Sequence, residues 1–192
     1  MPEQRWRTVD IVVAATIAVA FGVVFFAWNS VWEALKPAFT FLPPARNLIY
    51  GVWLIPAVLG ALIVRKPGAA LFTELVAAII SAMLGSVWGL DTILSGFVQG
   101  AAAELVFAMT LYRNWTPIVA VIAGIAAGVG AWIHDMPVYF PTLALRDQLV
   151  IGVFMLASAA VIAGLGSQAL VTALTRTGVL SAFASGRTQQ RV

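Results

Sequence analysis

The strongest constraint on this chain is the recurrence of uncharged apolar runs about as long as a bilayer is thick. A helix rises about 1.5 Å per residue, so roughly 20 apolar residues cross a hydrocarbon core of about 30 Å. Such runs fall at about 9–28, 48–64, 69–88, 93–112, 117–133 and 149–174 of the 192 residues. Inside a bilayer no water satisfies the backbone, so each run must close its own hydrogen bonds as a helix. Composition agrees: 10 % of the residues are charged and 61 % hydrophobic, where soluble domains average about 25 % and about half. The expected fold is an all-α integral membrane bundle of six transmembrane helices, one membrane domain over residues 1–192.

The connections set the orientation. Arg5 and Arg7 precede a run containing Ala18-Val19-Ala20, as in a secretory signal peptide. The run continues through Phe26, so cleavage would fall inside it, and a retained first helix is expected. Pro37, Pro43 and Pro44 stiffen the connection from Asn29 to Arg46, and Pro56 is expected to kink the second span. Pro137 and Pro141 are expected to break a second long connection, from His134 to Asp147. Six spans put both termini on one side. On that side fall eight cations (Arg5, Arg7, Arg65, Lys66, Arg113, Arg176, Arg187 and Arg191), against Lys36, Arg46 and Arg146 opposite. The positive-inside bias makes the terminal side cytoplasmic and turns the long connections outward. Those connections carry Trp28, Trp32, Phe39, Phe41, Tyr139 and Phe140, which serve either as interfacial anchors or as the lid of an outward pocket.

Polar residues within the runs are the candidates for function, because charge in hydrocarbon is costly and faces protein or water instead. The fourth span carries Gln99 and Glu104 among Ser95, Gly96, Gly100, Ala101, Ala102 and Ala103, small residues that admit a neighbouring helix or a ligand. Five residues apart, the two side chains point about 140° from one another, so one is free to touch ligand while the other ties helices. Glu104 is expected near mid-membrane and is the stronger functional candidate. Glu74 shares a stripe with Ala78, Ser81, Gly85 and Trp88, and hydrogen bonding to a neighbouring helix is its expected role. His134, the sole histidine, is either a solvated helix end or part of a site with Trp132 and Asp135. The candidate ligand set is Glu104, Gln99, Trp88, Trp132, His134, Asn29, Trp53 and Tyr139. On the first span Ala14, Ala18 and Gly22 form a ridge of small residues.

Enzyme chemistry finds no foothold. There is no cysteine, no HExxH, no GxSxG, no paired histidine and no P-loop, so no metal, cofactor or nucleic acid is called for. An intramembrane protease would need a serine and histidine deep in the bundle, whereas His134 is expected at its edge. A small oligomeric channel lined by Gln99 and Glu104 is the alternative to a binding protein.

Two stretches, NLIYGVWLIPAVLGALIVRKPGAALFTELVAAIISAMLGSVWG and QGAAAELVFAMTLYRNW, resemble the substrate-binding S components of energy-coupling-factor (ECF) vitamin transporters, and within them the YkoE-type subfamily associated with thiamine and hydroxymethylpyrimidine. The resemblance implies a multi-pass protein of a bacterial plasma membrane that takes its vitamin from outside. It implies docking on a transmembrane coupling subunit driven by two ATPase subunits or domains, which would supply the ATP hydrolysis. It also assigns the Ala14–Ala18 ridge, with Gly22, to the docking surface. A permanent thiazolium cation and two flat rings would suit a carboxylate, indoles and amides.

Overall fold

The computed structural model describes residues 5–181 and 183–187, and the fold is helical throughout. Helix α1 runs over Thr8–Ala34, followed by a short 3-10 turn at Lys36–Phe39. A 3-10 helix at Pro43–Leu54 leads directly into α2, Ile55–Val64. Then come α3 at Ala69–Met83, α4 at Asp91–Met109 and α5 at Pro117–Tyr139. Helix α6, Leu145–Ser158, passes through a π-helical stretch at Ala159–Leu165 into α7, Gly166–Arg176, and a short α8 closes the described chain at Ala184–Arg187. Five of these stretches are long and apolar enough to cross a membrane: Thr8–Ala34, Pro43–Val64, Asp91–Met109, Pro117–Tyr139 and Leu145–Arg176. Ala69–Met83 is a sixth, shorter apolar helix.

Several expected bounds are corrected. Helix α1 continues six residues beyond Trp28, carrying Asn29 and Trp32 on its inward face. Pro56 does not kink a span. It sits in the first turn of α2, where the proline's missing N–H has no intrahelical partner to lose, and the change there is from 3-10 to α. The third span stops at Met83, and Gly85 (φ 94°) and Gly89 (φ 60°) make the left-handed turns into α4. Helix α5 runs on through Pro137 to Tyr139, so the connection expected from His134 shrinks to 140–144. Close to the helix end, Pro137 removes a single bond of the ladder, and His134, Asp135 and Met136 are buried in the last turns.

Helix α2 lies at the centre, with every residue from Pro56 to Val64 buried, as befits a helix apolar on all sides. Helix α3 packs between α1 and α4, α4 against α5, and α5 against the π-helical stretch and α6. Helix α1 turns Asp10, Ala14, Ala18, Gly22, Phe25, Asn29 and Trp32 inward at steps of three or four, leaving Val12, Val19, Val23 and Phe26 outermost. Its small residues let α3 come close: a Cβ on Gly22 would stand 2.5 Å from Ile80. Ala14 and Ala18 are wholly buried, Ala14 with Val64 and Ala69, Ala18 with Ala77. The ridge expected to dock a partner is therefore the intramolecular seam between α1 and α3. The physical reason is simple: small residues mark close approach without saying which helix approaches.

Each end of the bundle is tied differently. At one end the Trp6 indole donates to Pro67 O at 2.8 Å, and buried Asp10 pairs with Arg7 at 2.8 Å and Lys66 at 2.9 Å. Lys66, counted among the orienting cations, is thus an internal tie, and Arg191 lies outside the described residues. Ser185 donates to Ile63 O at this same end. The opposite end gathers Asn29, Ser86, Thr92, Asp91 and Tyr139, and it holds the cavities.

Candidate functional site

A narrow cavity of ≈ 70 Å³ opens into the bundle between α1, the 3-10 helix at Pro43–Leu54, α3, α4 and α5. That is room for several waters, each needing roughly 10–15 Å³ by this measure. Helix α1 contributes Phe25, Asn29 and Trp32, and the 3-10 helix Tyr50 and Trp53. In a 3-10 helix residues three apart eclipse, so Tyr50 and Trp53 present their rings side by side. Helix α3 contributes Glu74, Ala78 and Ser81, the stripe anticipated from spacing. Trp88, Gln99, Asp135 and Tyr139 complete the wall together with Thr92, Ser95 and Gly96.

Glu74 dominates the chemistry. The residue is fully buried, its Oε2 accepts the Ala57 N–H at 2.9 Å, and its Oε1 has no partner. Ser81 Oγ, about two turns further along α3, is also unpartnered. Buried polar atoms are nearly always paired, so two unfilled groups on one cavity wall mark a place where a ligand or water completes the set.

The rest of the polar lining is a connected network. Asn29 donates to Ser86 Oγ at 3.1 Å and accepts from the Trp53 indole at 3.1 Å. Tyr50 donates to Asp135 at 2.6 Å and accepts from Gln99 at 3.3 Å, while Gln99 also donates to Ser95 at 2.6 Å. His134 Nδ1 meets the other Asp135 oxygen at 2.9 Å, its Nε2 stands 3.2 Å from Asp91, and the Tyr139 hydroxyl donates to Asp91. Indole and phenol rings frame these groups edge to face: Trp32–Trp53 at 5.1 Å, Tyr50–Trp53 at 5.2 Å and Trp88–Tyr139 at 5.1 Å between centroids.

Of the eight residues expected to meet ligand, the cavity brings together Gln99, Trp88, Asn29, Trp53 and Tyr139. His134 stands behind Asp135, orienting it. Trp132 donates its indole N–H to Gln148 O at 2.8 Å, between α5 and α6, away from the cavity. Glu104 is elsewhere too. Its carboxylate accepts the backbone N–H groups of Gly68, Ala70 and Leu71 at 2.6, 2.8 and 3.2 Å, capping the start of α3 at the opposite end of the bundle. Tyr112 leans on the same carboxylate, and burial, then that contact, pushes its phenol up to about 12. Gln99 and Glu104 therefore share no passage, and the channel reading loses its lining pair. Glu74, expected to tie helices, does so through Ala57 and also faces the cavity. Tyr50 was not among the expected site residues, and Asp135 entered only as a neighbour of His134, yet both line the cavity. Spacing of three from Trp53 would have found Tyr50 had the segment been read as 3-10.

A second, wider cavity of ≈ 390 Å³ adjoins the first behind a shared wall of Trp32, Tyr50 and Asp135. Pro43, Pro44, Arg46, Asn47, Phe140, Leu143 and Asp147 are among its lining residues.

Comparison with known proteins gives three concordant findings. Residues 9–130 match the family described as "ABC-type cobalt transport system, permease component". The chain is 36 % identical over 185 residues to a protein of Bacillus subtilis (strain 168) named "Putative HMP/thiamine permease protein YkoE", covering 96 % of this chain and 92 % of that one. A crystal structure described as an S-component of an ECF transporter superposes with a TM-score of 0.92 at 34 % identity, over 97 % of this chain and 94 % of the other.

Proposed function

The chain belongs to the YkoE-type family of ECF transporter S components, multi-pass proteins of the bacterial plasma membrane, and from that premise we propose that it captures thiamine or its hydroxymethylpyrimidine precursor. The observation that carries the reading is the free Oε1 of Glu74 inside a cavity walled by indoles. Thiamine and its precursor share a flat aminopyrimidine, whose ring edge offers both a donor and an acceptor to a buried carboxyl. Trp53 and Trp88 flank the flat rings, and the Gln99 and Asn29 amides read their polar edges. Thiamine adds a permanent cation, which aromatic faces and the Asp135 carboxylate favour.

The positive-inside bias turns the cavity end outward and the termini to the cytoplasm. The ligand is then taken from outside. A transmembrane coupling subunit with two ATPase subunits or domains completes the importer and hydrolyses ATP, and this chain performs no catalysis. Titration of the purified chain with thiamine and hydroxymethylpyrimidine, followed by tryptophan fluorescence, tests the reading. Saturable binding at one site per chain is expected. Absence of binding by either compound, or ion conductance by the isolated chain in liposomes, overturns it.

A further inference from the structure

The second cavity holds a feature that vitamin seating in the first does not use. Arg46 lies with its guanidinium carbon 4.1 Å from the centroid of the Trp32 ring, well inside the range of a cation–π contact. Its Nη1 is buried with no hydrogen-bond partner, and so is the indole nitrogen of Trp32. Among the described residues no carboxylate closes a salt bridge with Arg46. Asp135 is engaged by Tyr50 and His134, and Glu33, bridged to Lys36, acts on Arg46 only through space. Arg46 as a whole is half-buried, but its inward Nη1 is left without an acceptor. On that side the guanidinium meets a ring face instead.

Position gives that contact a purpose. Trp32 stands in the wall between the two cavities, and the wide chamber on the Arg46 side is lined by the partly or wholly exposed Pro43, Pro44, Phe140 and Leu143. A planar, delocalised cation resting on that indole is what a thiazolium or protonated aminopyrimidine would be. We propose that the wide cavity is an antechamber for a planar cationic ring, and that Arg46 is its internal stand-in, covering the Trp32 face until an arriving ring displaces it and moves on past Tyr50. Asp135 and Asp147, both lining the chamber, supply the attraction that offsets the repulsion from Arg46. The inference rests on the flat-ring reading of the inner cavity for its vitamin, but the stand-in itself is tested without one.

The test uses the purified full chain and the variants R46M, which keeps an unbranched apolar stem but neither the plane nor the charge, and R46K, which keeps the charge but not the plane. Methylguanidinium is titrated first, alone. Binding that quenches tryptophan fluorescence in R46M and is absent in the wild type is expected, and no binding to R46M overturns the proposal. Stopped-flow mixing with thiamine follows. R46M is expected to associate about threefold to tenfold faster than wild type, the scale of a surrendered cation–π contact, and added methylguanidinium to slow it again. R46K is expected to fall between. Unchanged or slower association in R46M overturns the stand-in. Failure of the wild type to bind thiamine or hydroxymethylpyrimidine at equilibrium counts against the vitamin reading alone, because the methylguanidinium arm still decides on Arg46.

Discussion

Two glutamates on adjacent helices, close to one another in depth, show how one type of side chain serves two different roles. Glu104 gives its oxygens to three backbone N–H groups where α3 begins. Glu74, farther along α3, gives one oxygen to Ala57 and leaves the other facing a cavity. A carboxylate whose acceptor positions are filled by backbone is a fastener, since moving it would orphan three donors at once. A carboxylate with an unfilled oxygen is poised for a partner from outside the chain. Depth alone does not separate the two roles; the count of filled acceptors does.

Substitutions at the two glutamates and around them put that contrast at risk. The largest effect is expected from Glu74→Gln, which should weaken thiamine binding about a hundredfold by leaving the ligand's polar edge without its carboxylate. Its unfolding temperature in detergent should hold, because the amide keeps the side chain's size and its oxygen still accepts the Ala57 N–H. Equal binding in the variant would make Glu74 a second fastener. Glu104→Gln should do the reverse. A loss of about 1–3 kcal/mol in unfolding measurements is expected from poorer capping of α3, with affinity unchanged. A binding defect without a stability defect would erase the distinction. Ala18→Leu extends the test to the α1–α3 seam: overpacking there should cost about 1–3 kcal/mol in the isolated chain. An isolated chain as stable as wild type, failing only in assembly with coupling subunits, would return the ridge to a docking role. The smallest effect is expected from Tyr50→Phe. Losing the hydroxyl between Asp135 and Gln99 should weaken binding about fivefold, near the value of one hydrogen bond, by titration calorimetry.

Much of this arrangement was legible in the sequence. Apolar length located the spans, and residue spacing placed Ala78 and Ser81 beside Glu74. Gln99, Trp88, Asn29, Trp53 and Tyr139 were recognisable as polar or amphipathic groups toward one end of the spans. The choice between the glutamates was not legible. Helical periodicity gives the face a residue occupies, but the donors that fill Glu104 belong to a turn 36 residues before it in sequence. Helix type was equally hidden. Hydropathy reads 48–64 as one span and gives no hint that its outer half is wound as 3-10. Pro137 misled because a proline rule written for helix interiors is nearly costless in a last turn. Trp132 misled because its indole has an apolar body that packs between helices as readily as it stacks on a ligand.

The 3-10 helix at Pro43–Leu54 has one more consequence, which concerns reach. At about 2.0 Å per residue against about 1.5 Å in an α-helix, twelve residues extend roughly 6 Å further than the same residues would as α. The polypeptide thereby crosses from the end of α1 to the head of α2 with few residues to spare. The same drawn-out winding is a reserve of length: rewound as α it would shorten by that 6 Å and swing Tyr50 some 60° away from Trp53, parting the two rings that now stand together at the cavity wall.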